Sequence, residues 1–100
     1  MKPLTDIMNE RGSVYGPFHR NASVAQSLKE VMHRAPNWDK LPNYMKESLD
    51  LICTKISRIL TGESDHVDNW DDIGGYARLP SRYLNEEIAR NTPQGKEKDA

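Results

Sequence analysis

Two groups of charged side chains flank a short turn near the middle of this chain. Glu47, Asp50, Lys55 and Arg58 come first, and Asp68, Asp71, Asp72 and Tyr76 follow at helical spacing. Carboxylates and cations on two adjacent helices are what a magnesium–phosphate site needs. Magnesium is a hard ion that prefers carboxylate and water oxygens. Bound beside a phosphoryl group, it polarises an oxygen and lowers the pKa of an attacking water. Lys55 and Arg58 would neutralise phosphate, Arg58 through paired hydrogen bonds. Tyr15 or Tyr76 could stack on a base or donate to a phosphate. The same residues also describe an ordinary salt-bridged hairpin, in which Asp68 and Asp72 pair with Arg58 and Lys55 and lock its register. Both readings stand on the residues alone.

The elements that would position these groups are helices. Met45, Leu49, Ile52, Ile56 and Ile59 step by four, three, four and three, an amphipathic signature that predicts a helix opened by Leu41-Pro42-Asn43. Glu47, Asp50, Thr54 and Arg58 fall roughly opposite that stripe, and Lys55 lies at its margin. Gly62 would close the helix as a left-handed cap. Glu63 to Val67 is then a short loop, so the next helix, beginning near Asp68, runs antiparallel. Asp68 suits the N-terminal end of that helix, where a carboxylate caps free N–H groups. Trp70, Ile73 and Ala77 form its apolar face, with Trp70 expected as a core anchor. Gly74-Gly75 suggests close helix–helix approach or a bend, and Pro80 is expected to interrupt the helix before a restart over 81–90.

Upstream, Ala22, Ala25, Leu28 and Met32 predict a helix from about His19 to His33. A short helix over residues 4–10 and a turn-rich connector over 11–17 precede it. The expected architecture is all-α: a small helical bundle around a central antiparallel hairpin, one domain over 1–90, with 91–100 a disordered tail. Antiparallel pairing about residue 64 sets position i opposite about 128 − i. Asp72 then faces Lys55 and Arg58, while Glu47 faces the region of Ser81, roughly 14 Å further along at ~1.5 Å per residue. Within one hairpin Glu47 and Asp72 would not share a metal; a partner subunit or a bend at the glycine pair could unite them.

Composition narrows the function class. At 100 residues with 36% hydrophobic and 7% aromatic content, a lone core is lean, and such domains often complete it by oligomerising. A formal net charge of −1 argues against binding nucleic acid through counterion release. No apolar run approaches the ~20 residues of a membrane span, and MKPLTDIMNERG lacks the apolar stretch of a secretory signal. One cysteine, Cys53 among Leu51, Ile52 and Ile56, excludes an internal disulfide and reads as a small core residue. His19, His33 and His66 lack a zinc-ligand spacing. A cytoplasmic protein is expected.

The run Lys55-Ile56-Ser57-Arg58-Ile59-Leu60, Gly62, then Asp68 through Ala77, with Arg11 and Tyr15-Gly16 upstream, resembles a family of small phage and prophage helical domains of unknown function. The likeness spans roughly residues 10 to 80. It is distantly similar to the MazG-like all-α nucleotide pyrophosphohydrolases. That resemblance implies a dimer or tetramer in the host-cell cytoplasm. It also implies magnesium-dependent cleavage of the α–β bond of a nucleoside triphosphate. Glu47 and Asp50 match the first acidic pair of the motif, and Asp68 with Asp71 or Asp72 the second. On this reading Glu47, Asp50 and Asp72 are catalytic, and Glu47, Asp50, Asp68 and Asp72 hold metal. The alternative is a non-catalytic helical module that binds a nucleotide or a host protein through the same surface. A third is a structural oligomer whose charges only fix register.

Overall fold

A computed structural model describes Leu4 and residues 16–92. The expected N-terminal helix beyond Leu4, Tyr15 and residues 93–100 lie outside the described residues. Among those described, the fold is all-α: α1 spans Phe18–His33, α2 Asn43–Thr61 and α3 Val67–Asn91, with a 3-10 turn at Trp38–Lys40. Helix α2 is central and packs on both α3 and α1.

The helix starts follow local chemistry. Pro17 and Pro42 stand in extended conformation immediately before α1 and α2, and their carbonyls accept the first helical N–H bonds. Gly62 ends α2, but its φ of −126° is not the left-handed cap expected; its N–H bonds to the Arg58 carbonyl. A left-handed glycine does occur elsewhere. Gly16 has φ +85°, and a Cβ there would collide with the Thr61 carbonyl, so Gly16 lies directly on the end of α2.

Helix α3 departs most from expectation. It runs unbroken through Pro80 to Asn91. Pro80 is half-buried and lines a groove between α3 and α2, and α3 stays helical despite the ~3 kcal/mol that an internal proline costs. Helix α3 begins at Val67. Asp68 makes no cap bond but sits in the first turn, its carboxylate 3.7 Å from His66 Nε2. Trp70 is no core anchor: it is exposed, and its Nε1–H donates to the Ser64 carbonyl across the turn at 2.7 Å.

Small and polar residues occupy the deepest positions. Ala25, Ser48, Cys53, Ser57 and Asn69 are the buried residues among those described. The Ser57 hydroxyl lies 2.8 Å from both Asn21 Oδ1 and the Thr54 carbonyl, tying α1 to α2. The Asn69 side-chain amide is buried with its Nδ2 unbonded. The predicted stripe Met45, Ile52, Ile56 and Ile59 is only half-buried, and Leu49 is exposed.

Candidate functional site

The antiparallel register places the charged residues. Lys55 Nζ stands 2.9 Å from Asp72 Oδ2, and the rings of Tyr44 and Tyr83 meet with centroids 4.5 Å apart. Both pairs obey the rule that position i faces about 128 − i. The expected pairing of Asp72 with Lys55 is therefore present. Lys55 is largely buried, with its side chain 14% exposed, whereas the Asp72 side chain is 45% exposed. The carboxylate keeps a solvent-facing side, and the ammonium is held beneath it.

Next to this pair lies a groove of about 400 Å³ between α2 and α3. Tyr44, Glu47, Ser48 and Leu51 line it from α2, and Tyr76, Leu79, Pro80 and Tyr83 from α3. Leu51 and Lys55 are one helical turn apart, as are Tyr76 and Asp72, so groove and ion pair succeed each other along one face. Arg58 and Asp68 continue that face by a further turn. Apolar walls with few polar groups are the usual character of a small-molecule cleft. Aromatic rings offer stacking faces, and Tyr hydroxyls donate or accept at the rim.

The sequence-predicted residues therefore divide. Glu47 and Tyr76 share the groove, and Lys55 and Asp72 share the ion pair. Asp50 belongs elsewhere: it turns toward α1, where Oδ1 lies 2.8 Å from His33 Nε2. The His33 ring stacks in turn on Trp38, centroids 4.3 Å apart, anchoring the turn that follows α1. Asp71 is exposed on α3. Among the described residues, no three His, Cys, Asp or Glu side chains converge as a metal cluster. Within one chain Glu47 and Asp50 do not join Asp68 and Asp72, as their axial separation required.

Tyr44, Ser48, Leu51, Leu79, Pro80 and Tyr83 complete the groove, and the sequence alone does not single them out. Their signal was available in the register, which sets Tyr44 opposite Tyr83 once the loop centre is known. Cys53 is buried as expected, and burial pushes its thiol pKa up; Lys29 opposes this shift and Asp50 adds to it. It is no activated nucleophile. No helix is long and apolar enough to cross a membrane among the described residues. Comparison with protein-family models, curated proteins and solved structures found no match.

Proposed function

We propose that the groove and its adjoining ion pair bind a nucleoside triphosphate with magnesium, and that the bound triphosphate is hydrolysed. The observation that carries this reading is the succession of an aromatic cleft and a Lys–Asp pair along one helix face. A planar base fits against Tyr44, Tyr76 and Tyr83, as base–aromatic stacking contributes about 1–3 kcal/mol. Glu47, acceptor-only when ionised, would receive N–H bonds from the base edge. From Glu47 to Lys55 is ~12 Å along the helix axis, comparable to the reach from a base to the far phosphates. Lys55 and Arg58 then meet the phosphates.

Asp68 and Asp72 suit magnesium, which is commonly held by one or two carboxylates plus substrate phosphates rather than by a full protein cage. Asp72 presents an exposed oxygen, and Asp68 lies one turn away on the same face. The ion, when bound, would polarise a phosphoryl oxygen and acidify the attacking water. The protein's own part is to hold the base, to shield Lys55 and to exchange its Asp72 partner for phosphate. The resemblance of the Lys55–Ala77 run adds the bond cleaved, α–β, with pyrophosphate as the leaving group.

A second reading, a binding module without turnover, is favoured by one feature. The acidic pairs do not meet within one chain, and Asp50 is bonded to His33. A thermal-shift panel of nucleoside triphosphates, with magnesium and with chelator, separates the readings when coupled to a pyrophosphate-release assay. A midpoint rise that needs both components, with pyrophosphate released, is the expected result. A rise that survives chelation without turnover selects the binding module. No response at millimolar ligand overturns both.

A further inference from the structure

The opposite side of the hairpin carries a different pattern. Val67, Trp70, Gly74, Ala77, Ser81, Leu84 and Ile88 follow one another by three, four, three, four, three and four, an unbroken heptad seam along α3. Every one of them is exposed. Val67 is 61%, Trp70 55%, Leu84 41% and Ile88 41% exposed. The order of sizes is symmetric: two bulky residues, three small ones, two bulky ones. Its centre is Ala77.

Helix α2 repeats the symmetry. Met45, Leu49, Ile52, Ile56 and Ile59 are spaced four, three, four, three, so their centre is Ile52; Leu49 is exposed and the other four are half-buried. The hairpin register observed at Lys55–Asp72 and Tyr44–Tyr83 sets residue 52 opposite residue 75. The midpoints of the two stripes thus fall within two residues of each other, ~3 Å along the axis. At ~100° per residue both stripes rotate to the same side of the hairpin, away from the tyrosine groove. Stripes centred at nearly one level are what a two-fold axis lying across the hairpin requires, since an isologous interface pairs each patch with itself.

We propose that two copies of this chain stack through this face, α3 antiparallel to α3 of the partner and α2 antiparallel to α2 of the partner, with the axis passing by Ala77. Gly74, Ala77 and Ser81 let the two α3 helices approach closely at the centre, and Trp70 of each copy packs beside Leu84 of the other. The Cβ position of Gly74 meets nothing within 4 Å in the single chain, so the space is open to a partner. On the flank of the seam, Asp71 of one copy falls beside Arg82 of the other, giving two opposite-charge contacts. Arg78 falls near the axis and meets its own copy. The shared face is roughly 30 Å long on α3 and about 20 Å long on α2, each ~10 Å wide. Two such faces bury about 1,000 Å², the least that a specific interface is expected to bury. They also add apolar burial to a chain in which Ala25 and Cys53 are the buried apolar residues among those described. The tyrosine groove stays open on the outer faces, so this assembly does not depend on what the groove binds.

Analytical ultracentrifugation of the full chain, combined with cysteine cross-linking in a Cys53→Ala background, tests the arrangement. The expected result is a dimer in which Ala77→Cys cross-links rapidly under mild oxidation, whereas Leu79→Cys, on the groove side, does not. Arg78→Gln should tighten the dimer several-fold and weaken its dependence on salt. A monomer at hundred-micromolar concentration overturns the proposal. So does a dimer whose Leu79→Cys variant cross-links while Ala77→Cys fails. Because cross-linking reads the native assembly, the test survives even if a disruptive Ala77→Arg variant does not fold.

Discussion

Lys55 is bonded to Asp72 at 2.9 Å, yet the two side chains differ threefold in exposure, 14% against 45%. The ammonium is sunk between the helices, and the carboxylate sits above it as a removable partner. Because Lys55 is largely out of water, removing its partner leaves a poorly solvated charge, a cost of about 1–3 kcal/mol. The asymmetry of the pair suits an exchange in which phosphate replaces the carboxylate.

Asp72→Asn separates these roles. The expected outcome is a loss of folding stability of about 1–3 kcal/mol by urea titration, since Lys55 stays buried, together with loss of the magnesium-dependent nucleotide response. The side chain remains isosteric, so gross misfolding is not expected. A large stability loss with the nucleotide response intact would make the pair a register lock and remove it from the site.

Gly16 can be tested by a single methyl group. Its φ of +85° disfavours any side chain, and the Cβ would be driven into the Thr61 carbonyl, which is backbone and cannot rotate away. Gly16→Ala should therefore cost more than the ~1 kcal/mol of an ordinary left-handed substitution. Thermal unfolding would show a clear drop in midpoint. An unchanged midpoint would mean that Gly16 does not rest on Thr61.

Cys53 sets a pH limit. Burial raises its thiol pKa above the ordinary 9.0, so the folded state keeps a proton that the unfolded chain releases. The associated stability is complete below pH 9.0 and is lost as pH rises through the folded-state value. Between pH 8 and pH 10.5, Cys53→Ala should show a flatter fall in stability than the parent chain. Lysines and tyrosines titrate in the same range, so the difference between the two curves is the quantity to read. Parallel curves would place the thiol in water.

Much of the hairpin was legible because its signals are local. Proline before each of α1 and α2, the glycine at 62 and the length of the following loop together fix two helices and their register, and the register alone brings Lys55 to Asp72. What failed depended on where neighbours lie. Periodicity marks Trp70, Leu49 and Ile52 as one apolar side of their helices, but nothing local says whether the same chain covers that side. Ser57 is buried where its hydroxyl bonds Asn21 and the Thr54 carbonyl, and Asn69 is buried with its Nδ2 unbonded; neither looks apolar in the sequence. The propensity of Pro80 taken alone opposes the helix, whereas α3 continues through it. The groove was half visible: Glu47 and Tyr76 carry polar chemistry and drew notice, while Leu51, Leu79 and Pro80 read as plain core.

The glycine pair distinguishes the lone hairpin from the stacked dimer. A Cβ at Gly74 or at Gly75 meets nothing within 4 Å in the single chain. In a monomer, then, Gly74→Ala and Gly75→Ala should each stabilise α3 by up to about 1 kcal/mol through helix propensity. Only Gly74 lies in the heptad seam; Gly75 points along the groove-side flank. Gly75→Ala is therefore expected to raise the thermal midpoint and leave the association constant unchanged. Gly74→Ala should raise it less, or lower it, because its methyl group separates helices that meet at their smallest residues. Melting curves at two protein concentrations a hundredfold apart give both numbers. Equal gains from the two substitutions at every concentration would show that position 74 faces only water.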